Sequence, residues 1–174
     1  MNASRETAPQ PAAKAARAKK GYRGLGMEGF LARWYARNTA KNKERFRLVA
    51  LDLAAQLPGG GSILEVAPGP GYLAIELARP GTYRVVGLDI SRTFVEIASR
   101  NAREAGVDVT FTRGNASDMP FEAGSFDLVV CCAAFKNFTE PVHALEEMHR
   151  VLRAGGKGLI VDLRPAPPPP STPR

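Results

Sequence analysis

The stretch from Ser62 to Ala78, SILEVAPGPGYLAIELA, constrains the fold of this 174-residue chain more than any other. A largely apolar strand runs into Ala67-Pro68-Gly69-Pro70-Gly71, and a helix opens directly behind it. Glycines at a strand-to-helix turn let a ligand approach backbone N–H groups at the helix start, which side chains would otherwise shield. The same alternation continues along the chain. Ser62 to Ala67 reads as strand one and Tyr72 to Arg79 as the helix behind it. Tyr83 to Asp89 is strand two, and Arg92 to Ala105 is a helix that offers Phe94, Val95, Ile97 and Ala98 for packing. Gly106 stops that helix before strand three at Val107 to Thr112. Phe126 to Cys131 is strand four, and a helix from about Pro141 to Leu152 carries Val142, Leu145, Met148 and Leu152 on one face. Gly155 and Gly156 are expected to end it, with strand five at Gly158 to Leu163. Strands separated by helices predict a doubly wound α/β domain: a mostly parallel sheet of five strands, covered on both faces and joined by right-handed crossovers.

Ahead of this domain, residues 1–21 mix Ala, Pro, Lys and Arg without apolar periodicity and are expected to form a disordered basic arm. Residues 22–61 read as a helical cap segment. In its first helix Phe30, Leu31, Trp34 and Tyr35 form a stripe expected to pack on the domain. A second helix, about Lys43 to Leu57, turns Phe46, Val49, Ala50, Leu53 and Leu57 inward and ends at Pro58-Gly59-Gly60-Gly61. The domain proper is placed at 62–163. Residues 164–174, RPAPPPPSTPR, form a proline tail that suits neither a helix nor a central strand.

The net charge of +7 sits at one end of the chain. Residues 1–47 hold twelve Lys or Arg against Glu6, Glu28 and Glu44, whereas the remainder holds twelve basic and fourteen acidic groups. Nucleic acid, anionic lipid or an acidic partner could meet such a segment; a solubilising tail is the plainer reading. No stretch approaches the roughly 18 uninterrupted apolar residues of a membrane span, and the N-terminus has no signal-peptide core, so a cytoplasmic location is expected. Adjacent Cys131 and Cys132 point to opposite faces of a strand and suit neither a disulfide nor a metal site. His143 and His149 lie six apart, a spacing unsuited to a helical metal pair. No metal is expected.

Two acids give the glycine turn its chemistry. Asp89 ends the second strand, where a carboxylate can accept hydrogen bonds from both hydroxyls of a ribose lying across the strand ends. The glycines alone would also pass for a dinucleotide fingerprint, a weak signal. Glu65 separates the two readings, because a carboxylate just before the glycines disfavours a diphosphate and favours a ligand that carries positive charge. S-adenosylmethionine, with its ammonium and sulfonium, is such a ligand; NAD is not.

From Ile63 to about Leu163 the chain resembles the class I S-adenosylmethionine-dependent methyltransferase superfamily, especially its small-molecule and lipid or quinone branch. The family's first motif is an acid, an aliphatic residue, then Gly-x-Gly-x-Gly. Here it is Glu65-Val66-Ala67-Pro68-Gly69-Pro70-Gly71, with Ala67 in place of the first glycine. Alanine is expected to tolerate the turn at the cost of modestly altered binding. The resemblance implies that Glu65 lies near the methionine moiety, that Ala67, Gly69 and Gly71 line the cofactor backbone, and that Asp89 holds the ribose with Ile90 against the adenine. It continues through GNASDMPFEAGSFDLVV, where Asn115 stands in for an acid at the adenine edge and Ala116 or Met119 is available to the apolar wall. Asn115 as a turn residue capping its own backbone is the alternative. Cys131 is implied near the methionine portion, and Phe135, Lys136 and Asn137 occupy a loop that faces substrate in the family. The run LEEMHRVLRAGGKGLIVDL resembles the following helix and strand.

The resemblance thus implies a Rossmann-like methyltransferase fold and methyl transfer from S-adenosylmethionine to a small-molecule acceptor, with no catalytic residue assignable. It also implies two further strands beyond the fifth, so the sequence reads as truncated. Strand five would then present an edge for a partner or a second copy to cover. An inactive or partner-completed cofactor-binding module is the principal alternative. A nucleic-acid methyltransferase and an NAD-dependent oxidoreductase are disfavoured, the former by the absence of its Asn/Asp-Pro-Pro-Tyr/Phe or Pro-Cys motifs and the latter by Glu65.

Overall fold

A computed structural model of the chain describes residues 21–23 and 26–162; most of the basic arm, the proline tail and the last residue expected of strand five lie outside these. The described order is α1 (Gly29–Thr39), a 3-10 turn (Ala40–Asn42), α2 (Lys43–Ala54), β1 (Gly61–Val66), α3 (Tyr72–Ala78), β2 (Tyr83–Asp89), α4 (Arg92–Ala105), β3 (Val109–Arg113), β4 (Phe126–Cys132), a 3-10 turn (Phe135–Asn137), α5 (Pro141–Val151) and β5 (Leu152–Val161). The strands form one parallel sheet in the order β3-β2-β1-β4-β5. This is the doubly wound architecture that the alternation of elements predicts.

Apolar content explains the order. All seven residues of β4 are buried, as are four of the six in β1, because helices cover both faces of a central parallel strand. One face packs Leu64, Val66, Val129 and Cys131 on Met148 and Val151 of α5. The other packs Ile63, Leu128 and Val130 on α2 and α3 through Ala50, Leu53, Leu73 and Leu77. Asp127 ties three elements together at the bottom of the sheet. Its carboxylate accepts from the Ser62 amide at 2.6 Å and hydroxyl at 2.9 Å, and Arg153 pairs with it. Burial pushes the Asp127 carboxyl up, but Ser62 and Arg153 outweigh it and hold the group below the usual carboxylate range.

Three packing expectations are corrected. In α5 the inward residues are Ala144, Met148 and Val151, whereas Val142 and Leu145 are exposed. In α1 the buried residues are Ala32 and Ala36, which allow close approach to Phe94 and Ile97 of α4, while Phe30 and Trp34 face outward. Among the described residues only Tyr35 of that stripe makes an aromatic contact, edge-on to Phe94 at 5.8 Å between ring centroids. The double glycine does not simply end a helix. It lies within β5, where pairing with β4 jumps from Phe126↔Leu152 to Leu128↔Lys157. Gly155 has φ +77, and a Cβ on Gly156 would meet backbone oxygens of Arg153 and Asp127 at 3.0 and 3.1 Å, so the excursion requires both glycines.

A strap ahead of α1 crosses the carboxyl ends of the strands. Tyr22 bridges Phe138 antiparallel, the Arg23 amide donates to the Asn137 carbonyl at 2.8 Å, and the Ser91 hydroxyl donates to the Met27 carbonyl at 2.5 Å. Glu28 fastens its other end to the start of α4, where its carboxylate accepts from the amides of Arg92 and Thr93 at 2.9 and 3.0 Å. Those amides belong to the unsatisfied first turn of α4, which has no acid of its own there, so a distant glutamate completes the cap.

Candidate functional site

The strap, the glycine turn, the ends of β1 and β2 and the inner faces of α1 and α2 enclose a cavity of about 500 Å³. That is within the range of small-molecule and cofactor sites. At its floor β1 delivers Glu65 from the centre of the sheet. Glu65 is 3% exposed, takes one backbone hydrogen bond from Ala74, and leaves Oε2 buried without a partner. Burial first, relieved in part by the Ala74 amide and worsened by the charge of Asp89, pushes its pKa up to about 8. A carboxylate held in this way has spare acceptor capacity beside the cavity, and a cation placed against it would restore its ionised form.

Asp89 reaches the same cavity from the end of β2. Its Oδ2 accepts from the Gly69 amide at 2.9 Å and its Oδ1 from the Ser91 amide at 2.9 Å. Burial pushes its pKa up to about 6 despite those bonds. Asp89 therefore pins the glycine turn as well as facing the ligand space. The turn is closed further by Gly71 N–H to Pro68 O at 3.0 Å and by the Asn101 side chain donating to Pro70 O at 2.9 Å.

The structure brings Glu65, Ala67, Gly69, Asp89, Ile90, Asn115, Ala116 and Asn137 to the cavity wall. It divides the glycines of the turn. Gly69 has φ +55 and open space over its Cα, so it faces the cavity. Gly71 does not line it: with φ +81, a Cβ there would meet Phe111 and Ala98 at 2.8 and 2.9 Å. Gly71 is needed for close packing of the turn on β3 and α4. Ala67 has φ +58, a left-handed conformation that disfavours any Cβ, so the substitution of the first glycine carries backbone strain where tolerance was expected.

Other expectations shift by a residue or two. Cys131 is fully buried between the sheet and α5, and Cys132, Ala133 and Ala134 line the cavity in its place. Both thiols are pushed up to about 12 by burial and by the neighbouring Glu65, so neither is a nucleophile at neutral pH. Lys136 is exposed and Phe135 packs on Phe138 at 5.4 Å, so of that loop triplet only Asn137 reaches the wall. Asn115 caps its own turn, its Oδ1 accepting from the Ser117 amide at 3.1 Å, and it borders the cavity.

Sequence reasoning missed the roof. Tyr22, Met27 and Glu28 from the strap and Tyr35, Thr39 and Phe46 from the two cap helices all border the cavity. A Cβ on Gly21 would stand 2.7 Å from Asn115 Oδ1 and 2.8 Å from Ile90 Cδ1, so the strap rests directly on the two residues expected at the adenine end. The signal for this was faint: a short glycine-rich stretch, Gly21, Gly24 and Gly26, between a basic run and the first helix. Among the described residues no cluster of His, Cys, Asp and Glu could hold a metal ion, and no helix is long and apolar enough to cross a membrane.

The donor set fits S-adenosylmethionine. An orphaned acceptor at Glu65 suits an ammonium, a second buried carboxylate at Asp89 suits vicinal hydroxyls, and Ile90 and Ala116 supply apolar walls. A diphosphate would meet two buried acids at the same place.

Residues 63–156 match a family described as methyltransferase domain. The demethylmenaquinone methyltransferase of Thermus thermophilus is 38% identical over 128 residues, 72% of this chain and 56% of the relative. The ubiquinone/menaquinone biosynthesis C-methyltransferase UbiE of a Geobacter species is 33% identical over 111 residues, 61% of this chain and 47% of the relative. A Methanococcus maripaludis protein assigned as an S-adenosyl-L-methionine-dependent methyltransferase superposes with a TM-score of 0.75 at 22% identity, covering 80% of this chain and 65% of its own. The last likeness concerns the fold alone. The chain spans about half the length of the curated relatives it matches.

Proposed function

This chain belongs to the methyltransferase-domain family, and we propose that it binds S-adenosylmethionine in the cavity beneath the strap and transfers the methyl group to a small apolar acceptor of the quinone type. The observation that carries the reading is the buried, unpartnered Oε2 of Glu65 in one cavity with Asp89. A sulfonium methyl is already activated toward a nucleophile, so the protein's contribution is alignment and exclusion of water. Glu65 holds the amino end of the cofactor by charge. Asp89 takes the ribose hydroxyls while keeping the Gly69 amide in place. Tyr35, Phe46, Tyr72 and Phe138 give the cavity an aromatic lining suited to a flat apolar acceptor, and the strap closes over it. Acceptor chemistry of the quinone type is supported by the names of the two curated relatives and by that lining.

Calorimetric titration with S-adenosylmethionine and, in parallel, NAD tests the reading. At pH 7 Glu65 is largely protonated, so a cationic ligand must expel its proton. Binding should therefore release close to one proton, seen by repeating the titration in buffers of different ionisation enthalpy, and should tighten as pH rises toward 8. Glu65→Gln should abolish the proton release, and Asp89→Ala should weaken binding by about tenfold or more. Binding of NAD in preference, or S-adenosylmethionine binding with no proton release, would overturn the assignment of Glu65.

A further inference from the structure

We propose that α1 is a docking face for an anionic lipid surface, which it meets through Phe30 and Trp34 set among Arg33, Arg37 and Lys41. The helix is inside out. Its inward residues are the small Ala32 and Ala36, whereas Phe30 is 76% and Trp34 53% exposed. At about 100° per residue, Phe30, Arg33, Trp34 and Arg37 fall within a stripe roughly 100° wide on the outer side. Two large aromatic groups one turn apart, alternating with two arginines one turn apart, are therefore left facing water.

Charge names the occupant. From Gly29 to Lys43 the sequence holds Arg33, Arg37, Lys41 and Lys43 and no acidic residue. Among the described residues no ion pair engages Arg33, Arg37 or Lys41. The residues before Gly21 add Arg5, Lys14, Arg17, Lys19 and Lys20 against Glu6. An interfacial helix wants this mixture: an aromatic ring at headgroup depth, with guanidinium and ammonium groups reaching the phosphates beside it. A second copy of the chain fits worse, because a two-fold contact would set the same basic groups against themselves. Nucleic acid fits worse as well, because the rings stand on a convex helix rather than on a groove that tracks a strand.

Docking has a use at this place. The same helix lines the cavity through Tyr35 and Thr39, so the face that meets lipid and the wall that meets the ligand belong to one element. The inference goes beyond the reading of the cavity and does not require the acceptor to be a quinone.

Trp34 is the chain's single tryptophan, so its fluorescence reports on this helix alone. The full chain would be titrated with vesicles of phosphatidylcholine and with vesicles in which about a third of the lipid is phosphatidylglycerol. The expected result is a blue shift of Trp34 emission and co-sedimentation with the anionic vesicles only, both reversed by salt. Arg33→Gln with Arg37→Gln should weaken partitioning roughly thirtyfold, at about fivefold per basic residue near the surface. Phe30→Ser should weaken it by about tenfold while leaving Trp34 to report. Circular dichroism of the same variants checks that they are folded, and S-adenosylmethionine titration in parallel separates failure of docking from failure of the cavity reading. Unshifted emission with anionic vesicles would overturn the proposal, as would quenching by an oligonucleotide in its place or burial of Trp34 in a concentration-dependent dimer.

Discussion

At Ala67 the backbone sits at φ +58 although the residue carries a Cβ. The left-handed region costs an L-residue roughly 1–2 kcal/mol, part of which glycine would give back in unfolded-state entropy. Ala67→Gly should therefore stabilise the chain by about 0.5–1 kcal/mol, raising Tm by roughly 2 °C in a thermal scan. It should leave cofactor affinity equal or improved, since the Ala67 amide still donates to the Leu88 carbonyl at 2.8 Å. A drop in Tm would mean that the Ala67 methyl packs more favourably than the backbone conformation costs. Gly71 is the complementary case two positions after Gly69: its missing side chain makes room for Phe111 and Ala98, not for a ligand. Two glycines of one motif thus do different work, and spacing alone cannot assign them.

At the scale of elements, the strap and the start of α4 stabilise each other. Glu28 accepts from the Arg92 and Thr93 amides and from the Thr93 hydroxyl, and the Gly29 amide donates back to that hydroxyl at 3.0 Å. Burial pushes the Glu28 carboxyl up, but the Thr93 and Arg92 donors outweigh it and hold the group below its ordinary value. Glu28→Gln should accelerate hydrogen exchange at the Gly29, Arg92 and Thr93 amides while leaving β1 and β4 protected. Uniform protection in the variant would show that the strap is held by its pairing with Phe138 alone. The core elements were legible because their cues are local. Ser91 caps α4 by accepting from the Phe94 amide, Gly106 ends that helix at φ +68, and β4 is apolar throughout. The helix faces were misread where size was taken for burial. α1 packs through alanines because it lies close against α4, and α5 turns Ala144 inward and Leu145 outward. The strap was not legible, because its partners are distant in sequence, Ser91 and Thr93 for Met27 and Glu28 and Phe138 for Tyr22, and no local pattern encodes them.

For the molecule as a whole, the buried acid under the glycine turn sets a cost that grows with pH. Glu65 has its pKa raised in the folded state, so the unfolded chain gives up that proton first as pH rises. Stability owed to this group is greatest below its ordinary value of 4.5, falls as pH rises toward about 8, and levels above it. Urea unfolding of wild type and Glu65→Gln should show the variant gaining on wild type by a few kcal/mol between about pH 5 and pH 8. A constant difference across that range would mean that Glu65 is ionised in the free protein. The position of the strap bears on how the chain reaches this state. Its contacts span the largest loops in the molecule, joining Tyr22 to Phe138 across most of the sheet. Closing them costs chain entropy that the strap's few polar contacts recover slowly. The strap is therefore expected to close after the sheet and its helices have built the walls it covers.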